Sequence, residues 1–202
     1  MILADEGLLL PFLEQLPSDI GPLNVTMGMP LKALPVNGLT EAFIQAHANM
    51  GQEDSFLLND LEKLLGHPFL HQGTGTSALI AGLRALRTLR ISTTELMKVA
   101  RAREITGQKH LEAALAPVDK ELRALPVRFI ALFTWAKSLA ADDRSVQEQL
   151  FQMARLQQRL DRALDRSGSL NIDLRTYRAI REKLLREERI AFLGEPLRGF
   201  GE

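Results

Sequence analysis

The run Asn24-Val25-Thr26-Met27-Gly28-Met29-Pro30-Leu31 constrains this chain more than any other stretch, because it has to be extended and an extended segment needs a partner. Val25 and Thr26 are β-branched, Gly28 tolerates positive φ, and Pro30 drives Met29 out of the helical region, so the run predicts a short strand ending in a turn. Upstream, Ile2-Leu3-Ala4 reads as the end of a buried strand, and Asp5 caps a helix from about Glu6 to Leu16 in which Pro11 forces a kink or a late start. The segment from Pro17 to Pro22 is a turn. Strand, helix, turn and strand make half of an α/β unit, and half a sheet does not stand alone. A further strand is expected at Ile190-Ala191-Phe192-Leu193, before Gly194-Glu195-Pro196-Leu197-Arg198-Gly199.

Between these extended pieces the hydrophobic period is helical. Leu39, Ala42, Phe43 and Ala46 predict a helix from Val36 to Met50, closed by Gly51. A second, from Ser55 to Leu65, carries Leu57, Leu58, Leu61, Leu64 and Leu65 and stops at Gly66-His67-Pro68. Thr74-Gly75-Thr76 opens a helix through Arg90, and Thr93 or Thr94 caps one to Ile105, with Glu95 near its positive end. Shorter helices fit 108–116 and 118–125. Pro126 suits the first turn of a helix from Val127 to Ala141 that is apolar almost all round, which predicts a place at the centre of the bundle. The longest helix starts at Asp142-Asp143 or Ser145 and runs to Ser167, and the last spans Asp173 to Arg189. The fold class is therefore mainly α, a helical bundle set between extended segments near the two ends of the chain.

With 202 residues, 46% of them hydrophobic and only 5% aromatic, the chain suits helix-on-helix packing around a substantial core. It has no cysteine, which removes disulfides, thiolate metal sites and cysteine nucleophiles. No apolar run reaches the length of a membrane span and the first residues lack a basic signal-peptide start, so a cytoplasmic location is expected. The net charge is zero, but residues 1–75 hold two basic against nine acidic groups, residues 76–143 eleven against seven, and residues 144–202 twelve against nine. An acidic first third and a basic remainder favour docking between parts of the chain, or phosphate contact by the later helices.

Catalytic and cofactor chemistry find little support. Gly73-Thr74-Gly75-Thr76-Ser77 precedes a helix but lacks the lysine and the glycine spacing of a phosphate-binding loop, so a turn with an N-cap accounts for it better. His67 and His71 are separated by Pro68 and the helix break, and His47 and His110 are isolated, so no metal site is assigned. The carboxylate pairs Asp60/Glu62, Asp142/Asp143, Asp161/Asp165 and Glu187/Glu188 read as caps and ion pairs, and no Gly-x-Ser-x-Gly is present. No catalytic or cofactor-binding residue is assigned, and no cofactor is expected.

The suggestive spacing is Arg155, Arg159, Arg162 and Arg166, whose intervals place four guanidinium groups along one helical stripe, the arrangement that tracks nucleic-acid phosphates. Asp161 and Asp165 lie near enough to pair with them, which makes a salt-bridged solvent face the competing account. The sequence shows no aromatic residue interleaved with these arginines, which argues against a single-strand stacking surface. Arg84, Arg87 and Arg90 drift around their helix, and Arg175, Arg178, Arg181 and Arg186 add later charge.

Several motifs, in order along the chain, resemble one family. They are Leu3-Ala4-Asp5-Glu6-x-Leu8-Leu9-Leu10-Pro11, Leu16-Pro17, the Asn24 to Leu31 run, Leu64-Leu65-x-His67-Pro68, and Gly194-Glu195-Pro196-Leu197-x-Gly199. The family is the AddB-like, PD-(D/E)XK-type exonuclease proteins with a UvrD/RecB-type helicase framework. The resemblance implies that residues 1–35 are a partial RecA-like α/β segment, 36–189 a helical insertion subdomain, and 190–202 a return towards the RecA-like domain. It further implies a piece of a larger DNA repair and recombination protein, without the phosphate-binding motif or the nuclease domain, whose partners are DNA and the remaining helicase and nuclease domains. The function expected is guidance of DNA by a non-catalytic subdomain; a structural docking module without direct DNA contact is the alternative.

Overall fold

The computed structural model describes Gln15 and residues 28–71, 75–118, 125–140, 143–166 and 173–191. A strand β1 (Gly28–Pro30) runs through a 3-10 turn at Leu31–Ala33 into α1 (Pro35–Ala48). There follow β2 (Ser55–Leu57), α2 (Leu58–Leu65), α3 (Pro68–His71), α4 (Thr76–Ala85) and β3 (Arg90–Ser92). Next come α5 (Thr93–Ala102), α6 (Gln108–Ala114), α7 (Leu125–Leu139), α8 (Arg144–Arg166), α9 (Leu174–Glu187) and β4 (Arg189–Ala191). The protein is mainly helical. Among the described residues no helix is long and apolar enough to cross a membrane.

Two antiparallel ribbons punctuate the helices. In one, Gly28, Met29 and Pro30 face Ala191, Ile190 and Arg189, so a segment before the first described helix pairs with one after the last. The Leu31 amide extends this ribbon by donating to the Glu188 carbonyl at 2.9 Å. Expected structure at Glu6–Leu16, the start of the Asn24 run, 119–124 and 192–202 lies outside the described residues. The second ribbon, β2 with β3, pairs Phe56 with Ile91 and corrects two expectations. Ser55–Leu57 is not the first turn of a helix, and the helix opened by Thr76 ends at Ala85 rather than Arg90. Both side chains of the central pair are fully buried, so a short strand gains more from covering the core than from helix propensity. The cap of α5 is also shifted by one residue. Ser92 accepts from the Glu95 amide while Glu95 reaches back to Ser92, a capping box that satisfies two otherwise unpaired donors.

The core is continuous from Leu31 to Leu185 and is built mainly from Leu, Ala and Phe. Helix α1 packs on α2 and α8, and α7 packs on α6 and α8. Phe129, Leu132, Trp135 and Ala136 bury α7 as expected, but Val127 is 59% and Ile130 54% exposed, so one face of this apolar helix reaches the surface. Trp135 anchors α7 to the turn before α6 through an indole N–H donated to the Thr106 carbonyl at 2.8 Å. Gly107 makes that approach possible. Its φ is +77°, and a Cβ there would lie 2.4 Å from Trp135 Cδ1. Gly107→Ala therefore adds backbone strain to a collision with the only tryptophan, and is expected to cost roughly 2–4 kcal/mol. Urea denaturation followed by Trp135 fluorescence checks this, and an unchanged midpoint would contradict it.

Candidate nucleic-acid interface

Helix α8 is 23 residues long, which makes it about 34 Å from end to end. Asp143 starts it by accepting from the Val146 amide at 3.0 Å. Val146, Leu150, Met153, Leu156, Gln157 and Leu160 are buried on one side. Arg155, Arg159, Arg162 and Arg166 are all exposed. At 100° per residue they fall in a band about 60° wide on the side away from the core, and span about 16 Å along the axis. Arg144, eleven residues before Arg155, is exposed on the same line.

The four guanidinium groups are not equivalent. Arg159 forms an ion pair with Glu188, the residue that follows α9. Arg155 lies over the ring of Phe151, 5.8 Å from its centroid. Phe151 is 56% exposed and sits one turn before Arg155 on the same band. No aromatic residue lies between Arg155 and Arg166, as expected; Phe151 flanks the stripe, four residues before Arg155. Of the two carboxylates near the stripe, Asp161 accepts from Gln157 Nε2 at 2.9 Å, and the side chain of Asp165 lies outside the described residues.

The other arginine clusters serve different ends. Arg84 makes a two-pronged bond to Glu62, both distances 2.9 Å. Arg90 donates to the carbonyls of Asn49 and Ser55 and ties the β2 ribbon to the end of α1. Arg178 donates to Gln45 at 2.8 Å. Arg181 is fully buried between α9, α1 and α8, where it donates to Glu41, to Asn37 at 3.0 Å and to Thr40, with Met153 Sδ at 3.8 Å. Burial pushes this guanidinium below its ordinary pKa, opposed by the Glu41 carboxylate. Beside it Gln157 donates to the buried Tyr177 hydroxyl, whose pKa burial raises. This polar node fixes the angle at which α9 lies on α8, and so places Glu188 against Arg159.

The histidines do not converge. His67 Nε2 donates to the Pro35 carbonyl at 3.1 Å while its Nδ1 accepts from the Phe69 amide, and His71 meets Ser77. No group of three possible metal ligands occurs among the described residues. Two residues weighed for phosphate or carboxylate chemistry have structural partners: Asp60 accepts from Asn49 at 2.7 Å, and Thr76 donates to the Leu70 carbonyl. Comparisons with family models, curated proteins and solved structures find no match for this chain.

Two consequences for stability follow from the buried polar groups. Thr40 keeps its bond to the Asn37 carbonyl at 2.9 Å without Arg181, so Arg181→Met removes a charge together with its burial cost. Glu41→Ala instead leaves a buried cation without its carboxylate. Glu41 is half-exposed and water shares that load, so the loss is expected at about 2–3 kcal/mol, larger than for Arg181→Met. Urea titration of both variants gives the order, and a costlier Arg181→Met would sink the argument.

The second concerns pH. His47 lies between the rings of Phe43 and Phe56 and donates from Nε2 to the Ala114 carbonyl, with Nδ1 unpartnered. Burial lowers its pKa from 6.5 to about 4. In the unfolded chain the ring protonates near 6.5, so below that pH the unfolded state binds more protons. The stability due to a neutral His47 is complete above pH 6.5 and is lost towards pH 4, by up to roughly 3 kcal/mol. His47→Leu should flatten the fall in urea midpoint over that window; an unaltered pH slope would refute it.

Proposed function

We propose that this chain is a non-catalytic helical subdomain of an ATP-dependent helicase/nuclease-like DNA repair and recombination protein, and that it contacts the DNA backbone through the outer face of α8. The observation that carries the reading is the band of four exposed arginines, opposite the core face of one rigid helix. Arginine suits this role because its planar fork binds phosphate oxygens and is weakly hydrated. A salt-bridged solvent face is the competing account, and the ion pair of Arg159 with Glu188 agrees with it at that position. The motif resemblance at both ends of the chain supports the same class of parent protein.

A second reading has its own observation. Among the described residues the β1–β4 ribbon is three residues deep on each side, below the size at which a sheet is stable alone. A structural docking module would use this ribbon and bind the helicase and nuclease domains without DNA.

Fluorescent duplex DNA titrated at several salt concentrations separates the readings. Each phosphate neutralised contributes about 0.9 to the slope of log affinity against log salt, so replacing Arg155, Arg162 and Arg166 by Gln should flatten it by about 2.7. Arg159→Gln should change it less, since Glu188 already holds that charge. Affinity and slope unaltered in the quadruple variant would overturn the DNA reading, and capture of the flanking domains in the absence of DNA would favour docking.

A further inference from the structure

The α8 band carries one group that backbone contact does not require. Phe43, Phe56, Phe69, Phe129, Phe133, Trp135 and Tyr177 are all buried, whereas Phe151 is 56% exposed. Among the described aromatic residues it alone stands in solvent. An isolated exposed leucine needs no explanation, but a phenyl ring costs more to leave in water and finds ready burial elsewhere in this core. Its neighbours distinguish it further. The Arg155 guanidinium lies over the ring at 5.8 Å, and Arg159, Arg162 and Arg166 continue the band towards the C-terminal end of α8. From Phe151 to Arg166 the band covers about 22 Å. Glu148, one turn before Phe151, accepts from Gln152 Nε2 at 2.7 Å and sets an acidic limit on the other side.

The geometry points to Phe151, with Arg155 beside it, as a stacking site for an unpaired nucleobase, so that the ligand of the α8 face is single-stranded rather than duplex DNA. The inference rests on the DNA reading above and names the form of DNA that the same face takes. A duplex keeps its base faces stacked inside and has nothing to offer an exposed ring. A single strand presents a π face at every nucleotide, together with the phosphates that the arginines neutralise. The guanidinium lies over one side of the ring, and the residue as a whole is 56% exposed, which leaves it accessible to a base. Arg162 and Arg166 then follow the backbone away from the stacked base. The site is tolerant of sequence, because stacking reads no base edge.

The full chain is titrated with labelled oligo-dT of about 12 nucleotides and with a duplex of equal length, using the wild type, Phe151→Ala, Phe151→Trp and Arg162→Gln. The wild type should prefer the single strand. Phe151→Ala should lose about tenfold in single-strand affinity with duplex affinity unchanged, and Phe151→Trp should retain it. Arg162→Gln should weaken both ligands and lower the salt slope. Thermal unfolding of Phe151→Ala should match the wild type, since the side chain is exposed. Equal affinity for both ligands with a silent Phe151→Ala overturns the stacking site and leaves backbone contact standing. No binding of either ligand by the wild type removes both. Self-association of the wild type that Phe151→Ala abolishes would assign the ring to a protein contact and also overturn the inference.

Discussion

The arrangement of the last third of the molecule depends on one buried cation. Arg181 brings Asn37, Thr40 and Glu41 of α1 together with Met153 of α8, across about 140 residues of chain. A guanidinium taken out of water is costly unless its donors are satisfied, and leaving any of those partners behind is costlier still. That asymmetry makes the contact selective more than strong. A helix sliding along α1 or rotating on its axis would strand the charge, whereas a leucine in the same place would tolerate many registers. Buried apolar residues of α8 and α9 such as Met153, Leu160 and Leu185 supply the burial, and Arg181 selects the register.

Other features inherit that register. With α9 held, its end delivers Glu188 to Arg159 and β4 to β1, so the antiparallel ribbon closes between Gly28–Pro30 and Arg189–Ala191. On the far side of the pair, α8 is left with a full outward face. The charge imbalance along the chain acquires a physical meaning here. Glu41 from the acidic first third meets Arg178 and Arg181, Lys32 meets Glu182, and Glu62 meets Arg84. Docking between parts uses some of the later basic groups, and in the outer band of α8 it takes up Arg159 through Glu188.

Helix positions were legible in the sequence wherever a regular apolar stripe faced a single core. The expected helices beginning at Val36, at Asp142-Asp143 or Ser145, and at Asp173 correspond to α1, α8 and α9 with shifts of a residue or two, because their apolar residues repeat at helical spacing. The β2–β3 ribbon was hidden, since three residues are too few for a period of two to show within leucine-rich surroundings, and Phe56 and Ile91 are apolar in either state. The exposed face of α7 was hidden for the opposite reason. Val127 and Ile130 look like core residues, and only the positions of α6 and α8 leave them uncovered.

The candidate interface divides along the same line. By itself the sequence determined a mainly helical chain and the intervals that align Arg155, Arg159, Arg162 and Arg166, because spacing along a helix sets direction around its axis. Tertiary structure decided which arginines are buried, which are paired and which are free to meet a ligand. Arg181 and Arg155 are the same residue type on similar helices, yet one is enclosed by α1 and α8 and the other lies in water over Phe151. Burial is a property of what packs alongside, and that depends on contacts between segments far apart in the chain, which local periodicity does not encode.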